Sequence, residues 1–117
     1  MLRLWRATIN TRNGLAFAIR SEQAVREEIV ALVLSLPLAW LIGATTMRRI
    51  ELIAAVVMVL IVELLNTAIE KLADRLTTDH DPKIGNVKDM GSAAVGVATL
   101  AAGAFWLFAI AERLGGI

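Results

Sequence analysis

The chain has 117 residues, of which 57% are hydrophobic and 20% charged, with twelve Lys and Arg against eleven Asp and Glu. This composition excludes a disordered segment and argues against an ordinary water-soluble domain, because so short a chain buries only a thin core by itself and needs lipid, copies of itself, or both to cover its apolar surface. The net charge of +1 does not indicate nucleic-acid binding, and the absence of Cys together with a single histidine excludes thiol chemistry and a His-cluster site.

The first predicted element is an amphipathic surface helix over about residues 2–26. Apolar side chains such as Leu4 and Phe17 alternate there with basic and amide side chains such as Arg12 and Asn13. This pattern is typical of a helix lying in the membrane interface, and Asn13-Gly14 predicts a break in it.

Three membrane-spanning helices are predicted after the surface helix. Residues 29–47 carry no charged side chain and would span roughly 28 Å, close to the thickness of a hydrocarbon core, with a mild kink at Pro37. The second span covers about residues 52–70, with polar residues in its later half, and the third covers residues 90–111, which are charge-free and rich in Ala and Gly. The expected fold is an all-α membrane protein, with residues 1–117 forming a single domain.

The basic residues set the predicted orientation, because cytoplasmic segments carry the excess of Lys and Arg. Nine of the twelve Lys and Arg lie in the N-terminal segment or between the second and third spans, against Arg48, Arg49 and Arg113 on the other side. The N-terminus and the loop predicted over residues 77–86 are therefore expected on the cytoplasmic side.

The second span and the residues just after it carry four polar side chains whose spacing places them on one helix face: Glu63, Asn66, Glu70 and Asp74. Glu63 lies deepest, where an ionisable side chain is costly unless it faces protein or water, and this predicts a functional site. The alternative is that Glu63 only makes a hydrogen bond between helices. For Asp74, an ion pair with Lys71 or Arg75 is the simpler expectation.

Two further clusters flank the spans on the same side. Lys88 and Asp89 precede small residues that begin at Gly91, and their functional interpretation is binding of a polyphosphate and its metal beside exposed helix N–H groups. The alternative is that Asp89 is only an N-cap and the small residues only let helices approach closely. Glu22 and Arg26 have the spacing of a solvated salt bridge on a helix, which is the alternative to a ligand role for Glu22.

The carboxylates at these three places form a set of hard oxygen donors, which suits Mg²⁺ rather than zinc, and Mg²⁺ at a membrane surface indicates a nucleotide. Neither a GxxxxGK[ST] loop nor a GxGxxG motif is present, which excludes a P-loop or protein-kinase-like site. Phosphoryl transfer mainly needs positioning, charge neutralisation and a base, so Glu63 is predicted to accept the proton of a lipid hydroxyl.

Two motifs in this order resemble the prokaryotic integral-membrane diacylglycerol kinases: ELLNTAIE at residues 63–70, with Asp74 four residues on, and KDMGSAAV at residues 88–95. Gly14-Leu15 and the EQAVREE segment at residues 22–28 are similar to that family's N-terminal signature. The resemblance implies an ATP- and Mg²⁺-dependent kinase that converts diacylglycerol to phosphatidic acid in the bacterial inner membrane. It also implies a homotrimer of surface helices and transmembrane helices with active sites shared between subunits.

The resemblance further implies roles for single residues. Glu63 matches the catalytic base and Asn66 a polar residue needed beside it, while Glu22 and Glu70 match metal-binding carboxylates. The residues expected around ATP are Arg3, Asn10, Glu22, Glu70, Asp79, His80, Asp81, Lys88 and Asp89. The residues expected around the lipid are Arg3, Ala24, Glu28, Arg49, Glu63 and Ser92.

Two other functions stand as alternatives at this point. A related branch of the same fold phosphorylates undecaprenol, although Met90-Gly91-Ser92 is more similar to the diacylglycerol branch. The second alternative is not an enzyme. It is a non-catalytic membrane subunit or a channel-forming oligomer, in which Glu63 and Asn66 line a pore or stabilise an interface.

Overall fold

The computed structural model describes residues 1–116, which form four α-helices: α1 Leu2–Ser21, α2 Gln23–Ile42, α3 Thr46–Leu76 and α4 Pro82–Arg113. The predicted all-helical fold is confirmed. By length and composition α3 and α4 can each cross a membrane. Their 31 and 32 residues correspond to roughly 47 and 48 Å, so both extend beyond a hydrocarbon core of about 30 Å.

The surface helix ends earlier than predicted, at Ser21 instead of near residue 26. Glu22 has an extended backbone (φ −128°, ψ 119°), which ends α1 and makes this residue the N-cap of α2. The predicted break at Asn13 and Gly14 is wrong, because α1 is continuous through both residues. A glycine inside a helix costs only about 1 kcal/mol relative to alanine, which the rest of the helix offsets.

The helix predicted over residues 29–47 also ends early, at Ile42. The chain turns there because Thr45 caps the next helix, with its hydroxyl oxygen accepting a hydrogen bond from the Arg48 N–H at 3.0 Å. The charge-free part of α2 is therefore residues 29–42, roughly 21 Å long and shorter than a hydrocarbon core. Unlike α3 and α4, α2 does not qualify as a spanning helix by length and composition.

The loop between α3 and α4 is shorter than the predicted residues 77–86. It ends at Asp81, whose Oδ1 accepts a hydrogen bond from the Lys83 N–H at 2.9 Å. Pro82 occupies the first turn of α4, a position where its missing N–H and fixed φ favour a helix start. The last residues of the predicted loop are therefore helical.

α3 is the central helix, with α2 packed along one side and α4 along the other. Two contacts fix an antiparallel register between α3 and α4. The Trp106 indole N–H donates to the Leu52 carbonyl at 3.2 Å, and near the other end of the pair Lys88 forms an ion pair with Asp74. α1 makes few contacts with α2 and approaches α3 at Phe17, whose ring lies near Lys71.

Few side chains are buried within one chain. The buried hydrophobic ones are Ala18, Val25, Ala39, Leu52, Val59, Ala73 and Ala109. Large apolar side chains remain exposed along α4, as at Leu100 (76% exposed) and Leu107 (70%). The chain is an open slab of 53 × 41 × 22 Å whose apolar surface needs lipid or other subunits, as its composition predicts.

Candidate active site

The polar residues of α3 share one face, as their spacing predicts, and their burial increases towards the middle of the helix. Glu63 is 9% exposed and Asn66 is 7% exposed, whereas Glu70 is half-buried and Asp74 is exposed. A glutamate buried among apolar helices is costly unless neighbouring groups pair with its carboxylate or donate hydrogen bonds to it. The surroundings of Glu63 therefore decide what this face does.

Three other carboxylates lie around Glu63, and their negative charges all act on it: Glu28, Glu70 and Glu22. Glu70 lies two turns further along α3. The antiparallel packing of α2 places Glu28 across from Glu63, and the extended backbone between α1 and α2 brings Glu22 to the same end. Like charges repel, so a positive charge placed among these carboxylates would reduce the repulsion.

One cation already contacts the cluster. The Nζ of Lys71 lies 2.7 Å from Oε1 of Glu22 and 5.2 Å from the centre of the Phe17 ring, so it connects α3 to the corner between α1 and α2. The alternative Glu22–Arg26 salt bridge is wrong, because Glu22 lies in the break between helices and its side chain faces α3. Arg26 instead donates to the Ile19 carbonyl at 2.8 Å, at the C-terminal end of α1.

Asn66 connects the cluster to α4. Its Nδ2 donates to Oε1 of Glu70 at 3.2 Å. Its Oδ1 is buried and, within the part of the chain that the structure describes, has no hydrogen-bond partner. The backbone of Gly91 on α4 packs directly against this oxygen.

Lys88 and Asp89 lie about two turns inside α4, since the helix begins at Pro82. The expectation that they flank exposed helix N–H groups is therefore wrong, and so is the alternative that Asp89 is an N-cap. Lys88 instead pairs with Asp74 across the α3–α4 contact. The expected pairing of Asp74 with a basic neighbour on its own helix is wrong, because the helix start at Pro82 brings Lys88 alongside α3.

A polar pocket of about 370 Å³ lies where the α3–α4 loop meets the two helices. It brings together four of the residues predicted to bind ATP: Asp79, His80, Asp81 and Lys88. Its volume lies in the usual range of small-ligand sites. Asp81 also caps α4, so its carboxylate has a structural role besides any contact with a nucleotide.

The remaining predicted residues are spread over the surface of the chain. Asn10 lines an apolar groove of about 620 Å³ between α1 and α3, which Phe17 and Leu64 also line. Arg3, Ala24, Asp89 and Ser92 are exposed. A single chain therefore does not enclose them in one site with Glu63.

Arg49 is far from the cluster. It precedes Glu63 by 14 residues on α3, roughly 21 Å along the helix axis. Its guanidinium lies 4.0 Å from the centre of the Trp40 ring, and its side chain fills the space beside Gly43. Within one chain, the structure therefore does not bring Arg49 together with Glu63.

Two residues to which the sequence analysis assigned no role in the site contact its polar side chains: Lys71 contacts Glu22, and Gly91 contacts Asn66. The position of Lys71 next to Glu70 in the sequence indicated a basic residue near the site. Its pairing with Glu22 could not be predicted, because it depends on how α2 packs against α3. The signal for Gly91 was a glycine within a run of small residues, which indicates close helix packing but not the residue it meets.

The expected Mg²⁺ needs oxygen donors that converge on one point. Within residues 1–116 no three acidic or histidine side chains converge tightly enough to enclose a metal ion. In nucleotide-dependent enzymes Mg²⁺ is usually held by one or two carboxylates together with the phosphates of the substrate. Glu22 and Glu70 both act on the charge of Glu63, so the described part of one chain offers single carboxylates of this kind and not an enclosed metal cage.

Sequence comparisons place these residues within a long match to known proteins. The family model for prokaryotic diacylglycerol kinase matches residues 10–110. The matched range contains every predicted site residue except Arg3.

Several similar proteins carry the name diacylglycerol kinase. The diacylglycerol kinase of Escherichia coli (strain K12) is 38% identical over 102 residues, which cover 87% of this chain and 84% of that protein. The diacylglycerol kinase of Pseudomonas aeruginosa is 41% identical over 96 residues, covering 82% and 78%. That of Haemophilus influenzae is 37% identical over 93 residues, covering 80% and 79%.

Proposed function

Because this chain belongs to the prokaryotic diacylglycerol kinase family, we propose that it transfers the γ-phosphoryl group of ATP to diacylglycerol, giving phosphatidic acid and ADP. The family resemblance of its two motifs is thus confirmed. The observation that carries the proposal is that this match includes the buried carboxylate Glu63 with Asn66 beside it. An alcohol acceptor needs a base at the depth of the lipid headgroup, and Glu63 supplies one.

In the proposed reaction, the Glu63 carboxylate accepts the proton of the free hydroxyl of diacylglycerol as the hydroxyl oxygen attacks the γ-phosphorus. The burial of Glu63 keeps bulk water away from the attacking oxygen and limits hydrolysis of ATP. Asn66 lies one turn further along α3 and holds Glu70 by its hydrogen bond. Glu28 on α2, whose charge acts on Glu63, would contact the lipid headgroup.

The nucleotide is proposed to bind at the cytoplasmic ends of α3 and α4. Glu22 and Glu70 would hold the Mg²⁺ that accompanies ATP, and this ion would neutralise charge on the phosphates. Lys88 would contribute a positive charge to the phosphates, at the edge of the pocket beside Asp79 and His80. For this, Lys88 would exchange its ion pair with Asp74 for the nucleotide.

The assembly is proposed to be a homotrimer with sites shared between chains, in the bacterial inner membrane with the N-terminus in the cytoplasm. The extensive exposed apolar surface of α4 supports association. The exposure of Asp89 and Ser92 supports a site completed by a neighbouring chain. α2 is proposed as a third spanning helix, with its charged first turns in the headgroup region.

The test of the acceptor is a lipid panel. The full chain in mixed micelles receives ATP and Mg²⁺ with diacylglycerol, with undecaprenol, or with no added lipid, and protein-free micelles serve as the control. Phosphatidate formed well above the undecaprenyl phosphate rate is the expected result. A preference for undecaprenol would assign the chain to the polyprenol branch, and no transfer to either lipid would favour the non-catalytic alternative.

A further inference from the structure

The backbone of Gly91 makes an unusually close contact with the side chain of Asn66. A Cβ atom placed on Gly91 would lie 2.2 Å from Oδ1 of Asn66 and 3.2 Å from its Cγ. Real carbon and oxygen atoms do not approach to 2.2 Å without a bond. The absence of a side chain at residue 91 is therefore what allows the Asn66 amide to occupy its place.

This contact fixes which way the Asn66 amide points. Oδ1 is directed at the Gly91 backbone and has no hydrogen-bond donor within residues 1–116, while Nδ2 donates to Glu70. A glycine Cα–H facing a buried oxygen gives a weak favourable contact, which a larger residue cannot provide. The amide is thus held between α4 on one side and Glu70 on the other.

We propose that Gly91 is a positioning residue for phosphoryl transfer, acting through Asn66 on Glu70. This inference rests on the proposed function, since it assigns roles in the kinase reaction to Asn66 and Glu70. Gly91 itself touches neither substrate nor metal. Its contribution is the space that keeps the Asn66–Glu70 hydrogen bond intact.

The first test is Gly91→Ala. The added methyl group displaces the Asn66 amide, breaks its hydrogen bond to Glu70 and lowers kcat on the order of 10–100-fold, because misplacement by about 1 Å has effects of that size. The KM for diacylglycerol stays within about twofold, since the lipid contacts are untouched. Gly96→Ala is the matched control for a methyl group added to the same helix, because within one chain this methyl group meets nothing within 4 Å and should leave the Asn66–Glu70 hydrogen bond intact.

The second test separates positioning from general helix packing by combining Gly91→Ala with Asn66→Ala. In the Asn66→Ala background the nearest remaining atom is the Cβ of residue 66, at an ordinary contact distance of 3.9 Å. Gly91→Ala should therefore lower the unfolding midpoint of the full chain in detergent only when Asn66 is present. It should also add no further loss of turnover to Asn66→Ala, because contacting residues are not additive.

The contradicting results are equally specific. Full turnover in Gly91→Ala, or an equal loss of stability in both backgrounds, overturns the positioning role while leaving the kinase function standing. A wild-type chain without phosphatidate formation in the same assay overturns the proposed function and the positioning role together.

Discussion

At the scale of single residues, the site carries more negative than positive charge. The negative charges of three other glutamates act on Glu63, yet in the part of the chain described here Lys71 is the only basic side chain in an ion pair with any of these four residues. Lys71 forms an ion pair with Glu22, one of the two carboxylates proposed for the metal, so a metal bound there would compete with the lysine for the same oxygens. The Mg²⁺ concentration needed for half-maximal rate should therefore change when Glu22, Glu70 or Lys71 is substituted.

Loss of either proposed metal carboxylate should weaken the response to Mg²⁺. Glu22→Gln and Glu70→Gln each preserve side-chain size but remove a negative charge, and each should raise the Mg²⁺ and ATP concentrations needed for half-maximal rate. Phosphatidate formation is measured over a Mg²⁺ titration, with Glu51→Gln, which lies far along α3 beside Arg48, as the control. Unchanged metal dependence in both variants would remove these residues from the metal site.

Removal of Lys71 should have the opposite effect, lowering the Mg²⁺ concentration needed for half-maximal rate. Lys71→Gln frees the Glu22 carboxylate and should lower the half-saturating Mg²⁺ concentration, by about threefold if the ion pair contributes a few tenths of a kcal/mol to 1 kcal/mol as exposed pairs do. Lys71→Arg should retain the wild-type value. Arg75→Gln removes the same charge without touching the cluster, so an equal shift in that control would show a general charge effect instead of competition at Glu22.

At the scale of helices, the sequence predicted the elements but misplaced several of their ends. Hydropathy detects only the apolar part of a helix, so the third span was predicted from residue 90 although α4 begins at Pro82. The Asp81-Pro82 pair is typical of a helix start. It explains why α4 begins at Pro82, which the apolar pattern alone does not show. The Glu22–Lys71 ion pair could not be predicted from the sequence, because it depends on the register of α2 against α3.

The cap at Asp81 gives a prediction for α4. Asp81→Ala removes the hydrogen bond to the Lys83 N–H and should destabilise the chain by about 1 kcal/mol, the usual loss for a helix N-cap. Asp81→Asn retains a capping oxygen without the charge and should keep the unfolding midpoint near wild type. If Asp81→Asn lowers ATP affinity at unchanged stability, the carboxylate also contacts the nucleotide. A wild-type midpoint in Asp81→Ala would contradict the capping role.

At the scale of the whole molecule, one chain is incomplete. The exposed apolar faces were predictable from composition, whereas the burial of Glu63 and Asn66 within a single chain was not, because it depends on how the neighbouring helices pack against α3. The sequence could not show that Lys88 faces Asp74 while Asp89 and Ser92 point outward, because that depends on the rotation of α4 about its axis. The open shape supports a site that neighbouring chains complete.

Shared sites predict recovery of activity between two inactive chains. If Glu63 and Asp89 at one site come from different subunits, mixing Glu63→Gln with Asp89→Asn chains should restore part of the turnover, because some mixed trimers contain a site with both groups intact. Subunit exchange is shown independently by co-purification of two tags. Exchange without recovery would mean that one chain supplies both groups.

The most direct measurement of the central claim is transfer of labelled γ-phosphate from ATP to diacylglycerol by the reconstituted full chain, with wild type and Glu63→Gln compared at equal amounts of folded oligomer. Glutamine preserves shape and hydrogen bonding but cannot accept the hydroxyl proton, and loss of a general base typically costs about 10²–10⁴-fold. The account predicts labelled phosphatidate from wild type and a loss of this size in Glu63→Gln. Near-normal phosphatidate formation by a well-folded Glu63→Gln variant would contradict it.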